Sequence, residues 1–187
     1  MEQTSSNHSF ITTKQLTLIG VMTAVICVLA PFAIPTPFSP VPITLGTLVL
    51  YIAAFVLGMK RSTLSCLIYL LLGAVGLPVF SGFSGGFAKV AGPTGGYMLG
   101  YLFLTLTAGF FIERFSGKLA FAVLGLILGT ALCYLFGTLW LGIQMNLSPA
   151  QALAAGVIPY LPGDVVKIII AALLGPKLGA AIRRIEN

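Results

Sequence analysis

Leu119-Ala-Phe-Ala-Val-Leu-Gly-Leu-Ile-Leu-Gly-Thr-Ala-Leu-Cys-Tyr-Leu-Phe-Gly-Thr-Leu-Trp-Leu141 is a run of 23 residues without a charge. A helix of about 20 residues is about 30 Å long, the thickness of a bilayer's hydrocarbon core. The stretch therefore reads as a membrane crossing, with Trp140 near its end as an interfacial anchor. The uncharged sequence extends to Gly163, and a second uncharged stretch of 45 residues separates Lys14 from Lys60. The whole chain has 187 residues, 58% hydrophobic and 7% charged, with a mean hydropathy of +1.06. No soluble domain of this size has such a composition.

Working outward, the charges and helix breakers divide the chain into six spans, at about 15–34, 43–59, 62–77, 95–112, 119–141 and 162–182. The expected fold is all-α: six transmembrane helices in one compact bundle over 14–187, with an outward-facing ligand cavity. A polar tail, 1–13, precedes it and is expected to be poorly ordered. The apolar run after Lys14 has the length of a full span and no small-residue cleavage site, so it reads as a retained helix.

The connections are unusual. Pro31-Phe-Ala-Ile-Pro-Thr-Pro-Phe-Ser-Pro-Val-Pro42 has five prolines in twelve residues. It cannot stay helical and favours a stiff, extended form. It is either a plain breaker between helices or a preformed lid. Residues 79–96 are too glycine-rich for a straight span, and irregular backbone at membrane depth is tolerated only inside protein or beside a water-filled cavity. Ser148-Pro149-Ala150-Gln151 fits a capping box opening a short helix that ends near Ile158.

Six spans place both termini on one side. Lys14, Lys60, Arg61, Arg114, Lys118, Lys177, Arg183 and Arg184 then share that side, and Lys89 lies on the other. The positive-inside rule makes the rich side cytoplasmic. The irregular connections and the head of the sixth span converge on the outer surface.

The net charge of +6 is scattered singly and does not suggest nucleic acid. Cys27, Cys66 and Cys133 lie in apolar runs without metal-ligand spacing, and their odd number argues against a disulfide framework. The sole histidine, His8, is in the tail, which removes most histidine catalysis and metal chemistry. No Walker motif is present, so uphill transport would draw on an ion gradient or a partner. Chains of membrane-buried acids typical of proton relays are also absent, which favours a partner.

Pro159-Tyr-Leu-Pro-Gly-Asp-Val-Val-Lys-Ile-Ile-Ile170 carries the chemistry. Asp164 and Lys167 stand three apart on one face at the head of the sixth span. The acid falls in the first turn, where the helix dipole favours negative charge. Ionisable groups inside membrane helices cost roughly 2.5–3.5 kcal/mol each, and they usually mark a substrate or ion site. The pair is either a structural ion pair or the grip on a polar ligand that has both donors and acceptors, such as a cyclic urea or an amide. Gly82-Phe83-Ser84-Gly85-Gly86 matches a nucleophile-elbow pattern, yet Ser84 has no histidine to activate it. Glycines that admit a ligand, or simple turns, explain it better, and no catalytic residue is assigned. Gly20 and Ala24 form a small-residue face on the first span, for packing inside the bundle or against another protein. Lys89 is either a solvated loop charge or a partner for an anionic part of a ligand.

Four runs together resemble the BioY family of biotin-specific substrate-capture subunits (S components) of energy-coupling-factor (ECF) transporters: Val41–Leu45, Tyr69–Phe80, Gly92–Tyr97 and Pro162–Lys167. The resemblance covers nearly the whole chain. It implies a non-enzymatic, six-helix subunit in a prokaryotic cell membrane, with cytoplasmic termini, that binds biotin from outside. The subunit would dock on a transmembrane coupling subunit carrying two ATPases, and would hold neither cofactor nor metal. Gly20 and Ala24 would meet the coupling subunit. Asp164 and Lys167 would hold the ureido ring, Tyr97 and Phe80 the thiophane ring, and Lys89 the valerate carboxylate, with Gly85 and Gly86 close to the ligand. The reverse orientation, with Lys167 on the carboxylate, stays open. The family commonly has Gln after its Pro-Ile-Thr-Leu run, where this chain has Gly46. A self-sufficient carrier for another vitamin or an amino acid is the alternative.

Overall fold

A computed structural model describes residues 12–37, 39–115 and 118–186. Most of the expected tail lies outside these residues. The first helix, α1 (Thr13–Leu29), starts on a capping box in which the Thr12 hydroxyl accepts from the Gln15 N–H and the Gln15 side chain accepts from the Thr12 N–H. Ile19, Thr23 and Ile26 turn inward. The Thr23 hydroxyl bonds the Ile19 carbonyl at 2.8 Å and the Ser65 hydroxyl at 2.9 Å, which ties α1 to the next helix.

The proline connection is extended, as its composition requires, but it is also paired. Strands β1 (Ala33–Thr36) and β2 (Ser39–Thr44) form an antiparallel hairpin in which Ala33 faces Thr44 and Ile34 faces Ile43, with an irregularity before Thr36 faces Ser39. In a two-stranded ribbon every strand has a free edge, so prolines without an N–H are accommodated there. The Leu45 N–H to Phe32 carbonyl bond, 3.2 Å, closes the base of the hairpin.

Helix α2 (Gly46–Ala74) contains the second and third spans joined at Gly58, where φ is 74° and ψ is −172°. Only glycine adopts this conformation without strain. The Met59 N–H, left without a helical acceptor at the break, donates to Glu113 Oε1 at 2.8 Å. Both ends of α2 lie at the same end of the bundle. Gly46 packs against Ala30, while Gly73 accepts from the Gly86 N–H and the Gly82 N–H reaches the Pro31 carbonyl.

The glycine-rich segment is not a span. It folds back through a Phe80–Ser84 bridge into a five-residue helix, α3 (Phe87–Ala91). Helices α4 (Gly95–Arg114) and α5 (Leu119–Met145) then pack antiparallel and very close. A Cβ on Gly100 would lie 2.8 Å from Cys133 Cα, and one on Gly129 would lie 2.9 Å from the Leu104 carbonyl oxygen. Small residues of this kind let membrane helices approach through their backbones.

The capping box at Ser148 and Gln151 opens α6 (Pro149–Gly156). A 3-10 turn (Ile158–Tyr160) leads from it into the last helix, α7 (Leu161–Glu186). Helices α2, α4 and α5, and a last stretch running from α6 to the end of α7, are long and apolar enough to cross a membrane, while α1 is a shorter apolar helix. With α2 bent in two, six rods make the bundle. Leu and Ile side chains along α5 and α7, among them Leu128, Leu135, Leu139, Ile169 and Leu173, face outward, as a lipid-facing surface requires. The charged helix ends near Gly58 and the irregular connections occupy opposite ends.

Candidate functional site

The connections enclose a cavity at their end of the bundle. Its empty space is about 460 Å³, including its open mouth. Strand β2 supplies Val41 to Thr44, α2 supplies Thr47, α4 supplies Tyr97, Tyr101 and Leu104, and α5 supplies Thr130, Cys133 and Tyr134. Gly156 and Tyr160 close one side, and the head of α7 brings Asp164 and Lys167.

The acid and base are one unit. Lys167 Nζ lies 2.9 Å from Asp164 Oδ1, with the side chains only 12% and 9% exposed respectively. Lys167 Nζ also donates to Thr47 Oγ1 at 2.9 Å. The Tyr134 hydroxyl donates to the other carboxylate oxygen, Asp164 Oδ2, at 2.5 Å. An ammonium has three N–H donors and a carboxylate about four acceptor positions. With these bonds made, Lys167 keeps one donor, and each Asp164 oxygen keeps room for a further donor. The pair can thus serve a guest that has one acceptor flanked by donors.

Polar side chains hold the wall in shape. Tyr97 donates to the Gly156 carbonyl at 2.9 Å, and Tyr160 donates to the Val41 carbonyl, which fastens the turn before α7 to the hairpin. Tyr51 stands behind Thr130, with their hydroxyls 2.6 Å apart. Four of the six tyrosines of the chain line the cavity. They combine flat apolar faces with polar tips.

Of the residues singled out in the sequence, Asp164, Lys167 and Tyr97 meet at this cavity, and Phe80, Gly85, Gly86 and Lys89 do not line it. Phe80 is fully buried against Tyr69, ring centroids 5.6 Å apart, and its ring fills the space beside Gly73 that a Cβ there would need. Gly85 presses on the backbone of Leu77, and Gly86 has φ of 95°. These glycines shape the fold-back. Lys89 is on α3, whose C-cap residue Gly92 accepts from the Trp140 indole N–H at 2.9 Å. That bond gives the interfacial tryptophan a local partner. The Ser84 hydroxyl donates to the Ser81 carbonyl at 2.8 Å. Gly20 and Ala24 lie exposed on α1, with nothing within 4 Å of a Cβ placed on Gly20, so packing among the described residues does not use this face.

Thr47, Tyr101, Thr130, Tyr134 and Tyr160 went unread in the sequence. Two signals could have found Tyr101, Thr130 and Tyr134. Tyr97 and Tyr101 are four apart and so share a helix face, and Thr130, Cys133, Tyr134, Gly137 and Thr138 make a small or polar stripe in an otherwise apolar span.

Fold and cavity together define a multi-pass membrane protein with a small-solute pocket at one end of its bundle. A family model described as the BioY family matches residues 1–184. A biotin transporter BioY of Thermotoga maritima is 37% identical over 168 residues, covering 88% of this chain and 95% of that protein. A biotin transporter BioY of Rhizobium etli is 38% identical over 172 residues, covering 87% and 91%. The crystal structure of the S-component for biotin from an ECF-type ABC transporter superposes with a TM-score of 0.82 at 33% identity, covering 88% of this chain and 90% of that one. The chain belongs to the BioY family.

Proposed function

We propose that this chain is the biotin-capturing S component of an ECF transporter and catalyses no reaction itself. The observation that carries the proposal is the shielded Asp164–Lys167 pair, held open to one side by Thr47 and Tyr134. The ureido ring of biotin has two N–H donors about one carbonyl. The free acceptor positions of Asp164 suit the N–H groups, and the remaining Lys167 N–H suits the carbonyl. Tyr97, Tyr101 and Leu104 supply an apolar seat for the thiophane ring. The valerate carboxylate extends toward the mouth, where solvent lowers the cost of its charge.

In this reading the cavity end faces outward and the Lys/Arg-rich helix ends face the cytoplasm, in accord with the positive-inside rule. The exposed Gly20–Ala24 face is the contact for a coupling subunit, and two ATPases supply the energy that this chain has no motif to extract. Titration of the purified chain with biotin, followed by Trp140 fluorescence or heat, tests the reading. Saturable one-site binding supports it, and no binding overturns it. Uptake by vesicles that contain this chain and no ATPase would favour the self-sufficient carrier instead.

A further inference from the structure

A second, larger opening lies at the other end of the bundle, near the break in α2. Its empty space is about 1460 Å³, including its open side. Phe55, Val56, Leu57, Ile112, Leu119, Ala122 and others give it apolar walls. Lys118 at the start of α5 and Arg183 near the end of α7 bring positive charge to it, and Arg61, just past the break in α2, is already engaged, its Nε donating to the Leu57 carbonyl at 3.0 Å. One carboxylate, Glu113, shares the lining, and it already accepts the Met59 N–H. Lys118 and Arg183 are exposed. Aromatic rings mark the same level: Phe115 and Phe121 stack at 4.4 Å, with Lys118 5.7 Å from the centroid of Phe121 and Arg114 5.7 Å from that of Phe115. Lys and Arg side chains at the ends of membrane helices reach the headgroup level of a bilayer.

We propose that this groove binds an anionic phospholipid, with the phosphate between Lys118 and Arg183 and an acyl chain along the Phe55–Leu57 wall. The chemistry of the lining selects an amphiphile. A soluble anion would leave the apolar wall uncovered, and a neutral lipid would give the exposed Lys118 and Arg183 no anionic group to meet. Basic pockets between membrane helices at the cytoplasmic surface are suited to acidic headgroups, and each Lys or Arg near the surface is worth about a fivefold change in affinity for an anionic lipid. The groove lies at the opposite end of the bundle from the Asp164 cavity, so the proposal stands independently of what that cavity binds.

Native mass spectrometry of the full chain, titrated with dioleoylphosphatidylglycerol or dioleoylphosphatidylcholine, tests it. The phosphatidylglycerol complex should survive preferentially. K118Q/R183Q should weaken that preference by more than tenfold, E113Q should strengthen it, and K89Q at the other end should leave it unchanged. Glycerol phosphate, which has no acyl chains, should compete poorly. Equal retention of the two lipids overturns the proposal, as does a preference unchanged in K118Q/R183Q. Full competition by glycerol phosphate would make the groove a small-anion site, and no lipid preference combined with loss of coupling-subunit assembly in K118Q/R183Q would make it a protein contact. Either result also overturns the proposal.

Discussion

Tyr134 and Asp164 are 30 positions apart, on different helices, and meet through a 2.5 Å hydrogen bond from phenol to carboxylate. With Lys167 on the other oxygen, the acid is held from two sides and its remaining lone pairs point at the cavity. A buried carboxylate without such partners would be expelled or neutralised. The arrangement keeps a charge away from lipid in a fixed orientation before any ligand arrives.

Removing the Tyr134 hydroxyl should loosen that orientation without emptying the wall. Tyr134→Phe is expected to lower biotin affinity about tenfold through the loss of that orientation, and to lower the unfolding midpoint in detergent modestly, because the buried carboxylate loses one of its two partners. Calorimetry on wild type and variant measures this, and equal affinities would take Tyr134 out of the positioning role.

Lys167→Met leaves Asp164 as a buried charge without its cation. Breaking such a pair costs about 3–5 kcal/mol, whereas replacing both partners by apolar groups is often neutral. Lys167→Met should therefore melt far below wild type, and Asp164→Leu/Lys167→Met should recover most of the stability while binding no biotin. A double variant that still binds biotin would reduce the pair to a structural role.

The break in α2 depends on Gly58. A Cβ there would sit 2.0 Å from Glu113 Oε1, on a residue whose φ is already 74°. Gly58→Ala should destabilise the chain by at least about 2 kcal/mol, seen as a lower unfolding midpoint in detergent. An unchanged midpoint would mean that the two halves of α2 can join by another path.

Gly20 tests the partner surface. Nothing lies within 4 Å of a Cβ built there, so Gly20→Leu should fold and bind biotin as wild type does. Co-purification with the coupling subunit should fall sharply. Normal co-purification would move the contact to another face.

The spans were legible because hydropathy adds along a chain: each expected span holds a helix, although the first helix stops at Leu29, short of the expected 34, where the proline connection turns into the hairpin. Asp164 and Lys167 were legible for the opposite reason, since their cost in an apolar helix requires an explanation. Thr47 was not legible, and the stripe that carries Tyr134 did not reveal its bond to Asp164, because a hydroxyl in a membrane helix costs little and its role depends on how that helix is rotated against α7. The hairpin was hidden by its prolines, which signal extended backbone but say nothing of pairing. Phe80 looked like an aromatic cover for the thiophane ring, but Gly73, the penultimate residue of α2, leaves a gap that its ring fills.

The most direct measurement compares the Kd of biotin with that of a biotin methylated on a ureido nitrogen, on wild type and on Asp164→Asn. If Asp164 accepts from the ureido N–H groups, wild type will prefer biotin strongly, and Asp164→Asn will bind biotin roughly 10- to 100-fold more weakly and lose most of that preference. Equal affinity of wild type for the two ligands, or an Asp164→Asn variant that binds and discriminates like wild type, would contradict the account.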